Sequence, residues 1–174
     1  MDHVPPALST ATVLDANGAA RVLSETWRER TAVLTFLRHY GCLFCREHLI
    51  EMARSIDAIR ARGAELYGIG LGNVKHLGWF IEEVKPEFAV FTDPSTRVYE
   101  ALEFKRGLGT VLRGDVLRRG VEAFREGHRQ TATKGDPWQQ GGVVVVRPDG
   151  SVPYYYASAF AGDHPPVAEV LAAV

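Results

Sequence analysis

Cysteine is nearly absent from this chain, with two in 174 residues, and methionine is as scarce. A scaffold stapled by several disulfides is therefore excluded. An excess of charge is missing as well: 20 Lys and Arg stand against 21 Asp and Glu, for a net charge of −1 and a pI of about 6.6. That balance argues against nucleic acid as the main partner. No apolar run approaches the roughly 20 residues that a membrane-spanning helix needs. Met1-Asp2-His3-Val4-Pro5-Pro6 lacks the basic cluster and apolar stretch of a secretory signal, so a cytoplasmic setting is expected. Internal repeats and low-complexity tracts are missing too, and 46% hydrophobic content over 174 residues is enough for one domain, 1–174, with its own core.

The two cysteines stand three apart, in Gly41-Cys42-Leu43-Phe44-Cys45-Arg46. In a reducing compartment such spacing points to dithiol chemistry. Ahead of them, Ala32-Val33-Leu34-Thr35-Phe36-Leu37 is short, apolar and partly β-branched, which predicts a buried strand. Behind them the period changes: Cys45, Leu49, Met52, Ile56 and Ile59 recur at steps of four and three, one stripe on a helix that runs to about Arg62 and is stopped by Gly63. Cys42 thus falls at the helix amino end, where the backbone dipole and unpaired N–H groups favour the thiolate. Arg38, His39, Arg46 and His48 are near enough in sequence to add positive field. Cys42 is the candidate nucleophile, and Cys45, on the core-facing stripe one turn further in, takes the resolving role. Two other readings fit these residues: inert core cysteines, or part of a zinc set made by Cys42, Cys45 and His48, after which only isolated His76, His128 and His164 follow.

Residues 1–11 read as a loose N-terminal arm. Thr12-Val13-Leu14 and Arg21-Val22-Leu23 flank Asp15-Ala16-Asn17-Gly18, a hairpin signal. The strand at 32–37, the cysteine helix and the apolar stretch 64–71 make a βαβ crossover with a parallel pair. Asn73 is placed to cap a helix to about Val84, with Leu77, Phe80, Ile81 and Val84 inward; 88–91 is a third strand; Asp93-Pro94 opens a helix carrying Val98, Tyr99 and Leu102. From Glu103 to Lys134 the chain turns basic, with Val116, Leu117, Val121 and Phe124 at helical spacing. This stretch reads as a solvated amphipathic helix, a flap over the cysteines, or a surface for an anionic substrate or partner. Val143-Val144-Val145-Val146 and Val152-Pro153-Tyr154-Tyr155-Tyr156 form a hairpin through Arg147-Pro148-Asp149-Gly150, and Asp163 is placed to cap a closing helix with Val167, Val170 and Leu171 inward.

A strand, a cysteine pair opening a helix, a crossover, then a hairpin and a helix is an order that resembles the thioredoxin fold. Phe36-Leu37-Arg38-His39-Tyr40-Gly41-Cys42-Leu43-Phe44-Cys45-Arg46-Glu47 closely resembles the motif of the peroxiredoxin-like AhpC/TSA antioxidant family. Asp93-Pro94-Ser95 with Tyr99-Glu100-Ala101-Leu102, Gly135-Asp136 with Gln140-Gly141-Gly142, and Gly162-Asp163-His164-Pro165 are similar to further segments of that family. The resemblance spans about residues 12–174. It implies an α/β, thioredoxin-like mixed sheet flanked by helices, with an N-terminal β-hairpin and a basic helical insertion at 103–140 before the final hairpin. It also implies an antioxidant-type thiol oxidoreductase without a cofactor. Some members are described as reducing a cyclic prostaglandin endoperoxide at a Cys-x-x-Cys site with a thioredoxin donor.

Two departures narrow this. Ordinary peroxiredoxins carry Pro-x-x-x-Thr/Ser-x-x-Cys, whereas this chain reads Arg38-His39-Tyr40-Gly41-Cys42, so rapid hydrogen peroxide reduction is not implied. Where thioredoxin-fold proteins usually place a cis-proline, Gln139-Gln140-Gly141-Gly142 stands instead, which argues against general protein-disulfide exchange. The expected chemistry is attack by Cys42 on an O–O or S–S bond of a small-molecule peroxide, endoperoxide or disulfide, closure of a Cys42–Cys45 disulfide, and recycling by a thioredoxin-like or low-molecular-weight thiol donor. Arg38 completes the catalytic set by stabilising a thiolate or leaving oxyanion. His39 and His48 are candidate proton carriers near neutral pH. Tyr40, Gly41, Leu43, Phe44, Trp138, Gln140, Gly141 and Gly142 are candidate substrate contacts, the glycines because backbone without a Cβ can approach a sulfur closely. No metal is expected, and a homodimer is left open. The rival of another class is a non-catalytic redox switch that binds a partner through the basic stretch.

Overall fold

Nearly every position in the central strands is apolar, so both faces of the sheet they build must be covered. The computed structural model, which describes residues 1–107, 136 and 138–174, shows how this is done. β1 (Thr12–Leu14) and β2 (Ala20–Val22) form an antiparallel hairpin. β3 (Thr31–Phe36), β4 (Ala64–Gly70) and β5 (Val90–Thr92) run parallel, and β6 (Gly142–Val146) with β7 (Tyr154–Ala157) closes the chain's second antiparallel hairpin. The order across the sheet is β2-β1-β5-β4-β3-β6-β7, with β3 antiparallel to β6. This is the mixed, thioredoxin-like sheet expected from the sequence.

Alternation along each strand splits the core into two halves. Val33, Leu66, Val143 and Val145 face α2 (Leu43–Arg54), α3 (Ile56–Ala61), α4 (Val74–Val84) and the closing helix α6 (Val167–Ala173). Ala32, Leu34, Phe36, Val144 and Val146 face the other way, onto Leu8, Trp27 and the residues Val98, Tyr99 and Leu102 at α5 (Arg97–Ala101). Among the described residues no helix is long and apolar enough to cross a membrane.

Several local expectations change. The arm at 1–11 is not loose: Pro6–Ser9 form a one-turn helix, α1, and Val4 N–H donates to the Gly150 carbonyl while Val152 N–H donates to that of Asp2. Leu8 is fully buried, worth about 2 kcal/mol of apolar transfer. Leu23 belongs to a 3-10 helix, Leu23–Trp27, rather than to β2. The single helix expected after the cysteines is two, because Ser55 (φ −101°, ψ 11°) interrupts it and its carbonyl accepts the Ile59 N–H. Serine prefers such helix starts to interiors. The apolar stripe survives the break, with Cys45, Leu49, Met52, Ile56 and Ile59 all in one cluster.

Asn73 caps α4 as expected, in a reciprocal box with His76. Asp93 acts at a distance: α5 begins only at Arg97, and the carboxylate accepts the N–H groups of Ser95 and Val98. Asp163 does not cap α6. Its oxygens are taken by the Tyr156 hydroxyl and the Ala159 N–H. The helix expected at 116–124 and most of the basic stretch lie outside the described residues.

Candidate active site

β3 and β4 end side by side, Phe36 opposite Ile69. The Leu37 N–H donates to the Ile69 carbonyl, and the buried Tyr99 hydroxyl lies 2.6 and 2.9 Å from the carbonyl oxygens of Leu37 and Ile69. With the strand end pinned there, residues 38–41 turn and Cys42 becomes the N-cap of α2 (φ −74°, ψ 116°). Its side chain makes no capping bond, so the sulfur is left at the positive end of the helix dipole. Both cysteines are free thiols and both are only 2% exposed.

Arg38 organises the pair. Its side chain is buried, with Nη1 donating to Cys42 Sγ at 3.6 Å and Nε donating to the Gln139 carbonyl at 3.1 Å. Its main-chain N–H donates to Cys45 Sγ at 3.4 Å. The two thiols separate accordingly. A hydrogen bond from Cys45 pulls the Cys42 thiol down to about 6 against the opposing effect of burial, and the Arg38 charge pulls in the same direction. Burial pushes the Cys45 thiol up, and its hydrogen bond to Cys42 adds to this. At neutral pH the arrangement holds a thiolate on Cys42 beside a protonated Cys45.

Of the four nearby cations expected, Arg38 alone serves the sulfur. Arg46 reaches Glu83 at 2.7 Å and lies over the Trp79 ring. His39 and His48 are 3% and 4% exposed, and burial lowers each to about 4, helped at His39 by the Arg38 charge. Both are therefore neutral at pH 7, which corrects their expected roles as positive field and as proton carriers near neutrality. Nδ1 of His39 and Nε2 of His48 are buried with no hydrogen-bond partner among the described residues, and the His48 ring stacks on His164 at 4.5 Å. Among the described residues no three His, Cys, Asp or Glu side chains come together as a metal set; His76 is occupied in the α4 cap, and His128 lies outside the described residues.

Tyr40 packs inward, between α4 and the ends of β4 and β5. It is fully buried, donates to the Phe91 carbonyl at 2.8 Å and fills the space left by Gly70 and Gly72, where a Cβ would press into its ring. Gly41 and Leu43 are buried, and Phe44 packs half-buried on the core beside α2. The glycines at 141 and 142 do not use their missing Cβ against sulfur: one on Gly141 would collide with the Phe36 carbonyl, and one on Gly142 with the Tyr156 carbonyl and the Phe104 ring. They let β6 lie close to its neighbours. Gln140 is fully buried, whereas Trp138 is 37% exposed.

Sequence reasoning passed over Gln139, which is 3% exposed and whose carbonyl holds Arg38. It lies in a short two-stranded neck at the base of the basic segment. Arg106 bridges to Gln139 antiparallel, Gln140 N–H donates to Lys105, Gly107 N–H donates to Trp138, and Arg106 Nε meets Asp136 at 2.6 Å. The available signal was the Gln-Gln-Gly-Gly run itself, which does not say which glutamine faces the site.

The fold and the cysteine pair define a peroxiredoxin-like redox protein of thioredoxin fold. Residues 51–159 match the family of the AhpC/TSA antioxidant enzyme, and the chain belongs to that family. The matched range starts after both cysteines, so the arrangement at Cys42 and Cys45 rests on the geometry. The chain is 36% identical to the chloroplastic thioredoxin-like protein AAED1 of Arabidopsis thaliana, over 96% of this chain and 71% of that protein. It is 26% identical to Peroxiredoxin-like 2C of Bos taurus (95% and 77% covered) and 27% identical to the prostamide/prostaglandin F synthase of Danio rerio (87% and 78%). Among solved structures, peroxidoxin BcpB of Mycobacterium tuberculosis superposes with a TM-score of 0.70 at 18% identity, covering 99% of this chain and 96% of that one. That likeness concerns the fold alone.

Proposed function

We propose that the protein is a thiol-dependent reductase of a small-molecule O–O or S–S bond. The Cys42 thiolate attacks one oxygen of a hydroperoxide; the O–O bond breaks, the departing alkoxide takes a proton, and Cys42 carries a sulfenic acid. The Cys45 thiol then attacks that sulfur, forming the Cys42–Cys45 disulfide and releasing water. With an endoperoxide the same steps release a diol, and with a disulfide they release two thiols. A dithiol donor of thioredoxin type or a low-molecular-weight thiol returns the two electrons. A reducing compartment such as the cytoplasm, which keeps both thiols free between turnovers, belongs to this reading.

The observation that carries it is the convergence on one sulfur of a buried guanidinium and a second thiol, with Cys42 driven toward the thiolate and Cys45 away from it. An activated nucleophile beside a protonated resolving thiol is what two-step dithiol reduction needs. The relative named a prostamide/prostaglandin F synthase supports placing an endoperoxide in the substrate panel. Reduced protein mixed with alkyl hydroperoxides, an endoperoxide and small disulfides, with free thiols followed, tests the proposal. Wild type should lose two thiols per substrate, and Cys42→Ser none. Equal consumption by both would refute it.

A second reading, a redox switch without turnover, is favoured by the 2% exposure of both cysteines. It is distinguished by partner capture that depends on reductant in a protein that consumes no oxidant catalytically.

A further inference from the structure

Arg38 is useful to Cys42 only if its guanidinium is aimed, and a long side chain has many rotamers to lose. Two bonds to described residues hold it: Nη1 to Cys42 Sγ and Nε to the main-chain carbonyl of Gln139. The first is the chemistry. The second is an anchor 101 residues away in sequence.

That anchor is itself held from the side-chain end of Gln139. Its Nε2 lies 3.1 Å from the Phe104 carbonyl, 3.3 Å from that of Lys105 and 3.1 Å from that of Gln140. Three carbonyl oxygens around one terminal atom assign it as the amide nitrogen. Two of the three lie on the opposite side of the neck, so the amide staples the stretch carrying the Gln139 carbonyl onto residues 104 and 105. The main-chain pairs Gln140 to Lys105 and Gly107 to Trp138 run alongside. Removing the donor would take this bond from the buried Phe104 carbonyl and loosen the tie between the two sides of the neck, leaving the stretch freer to shift.

We infer that Gln139 is a positioning residue for the thiol chemistry, its side-chain amide fixing the carbonyl that aims Arg38 at Cys42. The inference rests on the proposed function in taking Cys42 as the nucleophile. Gln139 touches neither sulfur in this scheme and acts through Arg38 alone, so its effect must vanish when Arg38 is gone.

The test is the pH dependence of Cys42 alkylation by iodoacetamide on the full chain, resolved from Cys45 by peptide mass spectrometry. Gln139→Met keeps length and bulk but removes the donor; it should raise the midpoint by about half to one pH unit and slow alkylation at pH 6 about two- to sixfold. Arg38→Met should raise it further, and the double variant should match Arg38→Met. Gln139→Asn, which keeps the amide but shortens its reach, should give a smaller shift in the same direction and supplies the reading if the Met variant does not fold. An unmoved profile in the Gln139 variants beside a clear shift in Arg38→Met overturns this inference and leaves the proposed function standing. An equal Gln139 shift with and without Arg38 also overturns it. A wild-type midpoint near that of a free thiol, unmoved by Arg38→Met, would instead sink the reading of Cys42 as the activated nucleophile.

Discussion

Two helices start at the same end of the sheet, α2 after β3 and α4 after β4, and they treat their amino ends in opposite ways. At α4, Asn73 and His76 exchange hydrogen bonds in a capping box, and the end is satisfied. At α2, Cys42 occupies the same cap position without a capping box, and Arg38 together with Cys45, in the first turn of the helix, addresses its sulfur. The histidines differ likewise: His76 is half-exposed and caps, whereas His48 is buried and neutral. One helix start is arranged for stability. The other gives up part of it to keep a thiolate.

The strongest way to break this comparison is Cys42→Ser, which gives α2 the ordinary cap that α4 already has. Turnover of a reactive peroxide or disulfide should fall at least about 10³-fold. The folded Cys42 thiol titrates at about 6, below its unfolded value, so its stabilising contribution is complete only above about 9 and is lost as pH falls through 6. Denaturant melts should therefore show wild type gaining on Cys42→Ser by about 1 kcal/mol per pH unit between those limits. A constant difference would remove the thiolate from the account.

Acid should separate the two helices next. With folded values near 4, His39 and His48 stabilise the protein in full above about 6.5 and lose that contribution as pH falls toward 4. His48→Phe should flatten the acid slope by one proton, on the order of 3 kcal/mol across the window. An unchanged slope would mean that His48 titrates freely.

Arg38→Met should raise the midpoint of Cys42 alkylation by about one to two pH units. The smallest effect belongs to α4. Asn73→Ala should cost about 1 kcal/mol, read as a melting point lower by about 2–4 °C, and leave the Cys42 profile where it was. A shift of that profile would show that the two helix starts are not independent.

What the sequence made legible was local. The strand at Thr31–Phe36, the stripe from Cys45 to Ile59 and the Asn73 cap follow from period and capping chemistry written within a few residues of each other. The position of Cys42 at a helix start is of the same kind. What escaped depended on distant chain. Tyr40 turns inward because Gly70 and Gly72 leave room for its ring; His39 and His48 lose their charge to burial that no short window displays. Gln139 matters rather than its neighbour because the neck places its amide among the carbonyls of residues 104 and 105. Asp163 looked like a cap until Tyr156, across the hairpin end, took its carboxylate.

The neck has one more consequence. Arg106 pairs with Gln139 and meets Asp136, and the Gln139 carbonyl in turn holds Arg38, 101 residues away in sequence. Contacts between positions this far apart form only after chain entropy has been spent on closing them. A substitution at Arg106 or Asp136, neither of which touches a cysteine, is therefore transmitted toward the thiol pair through the clasp.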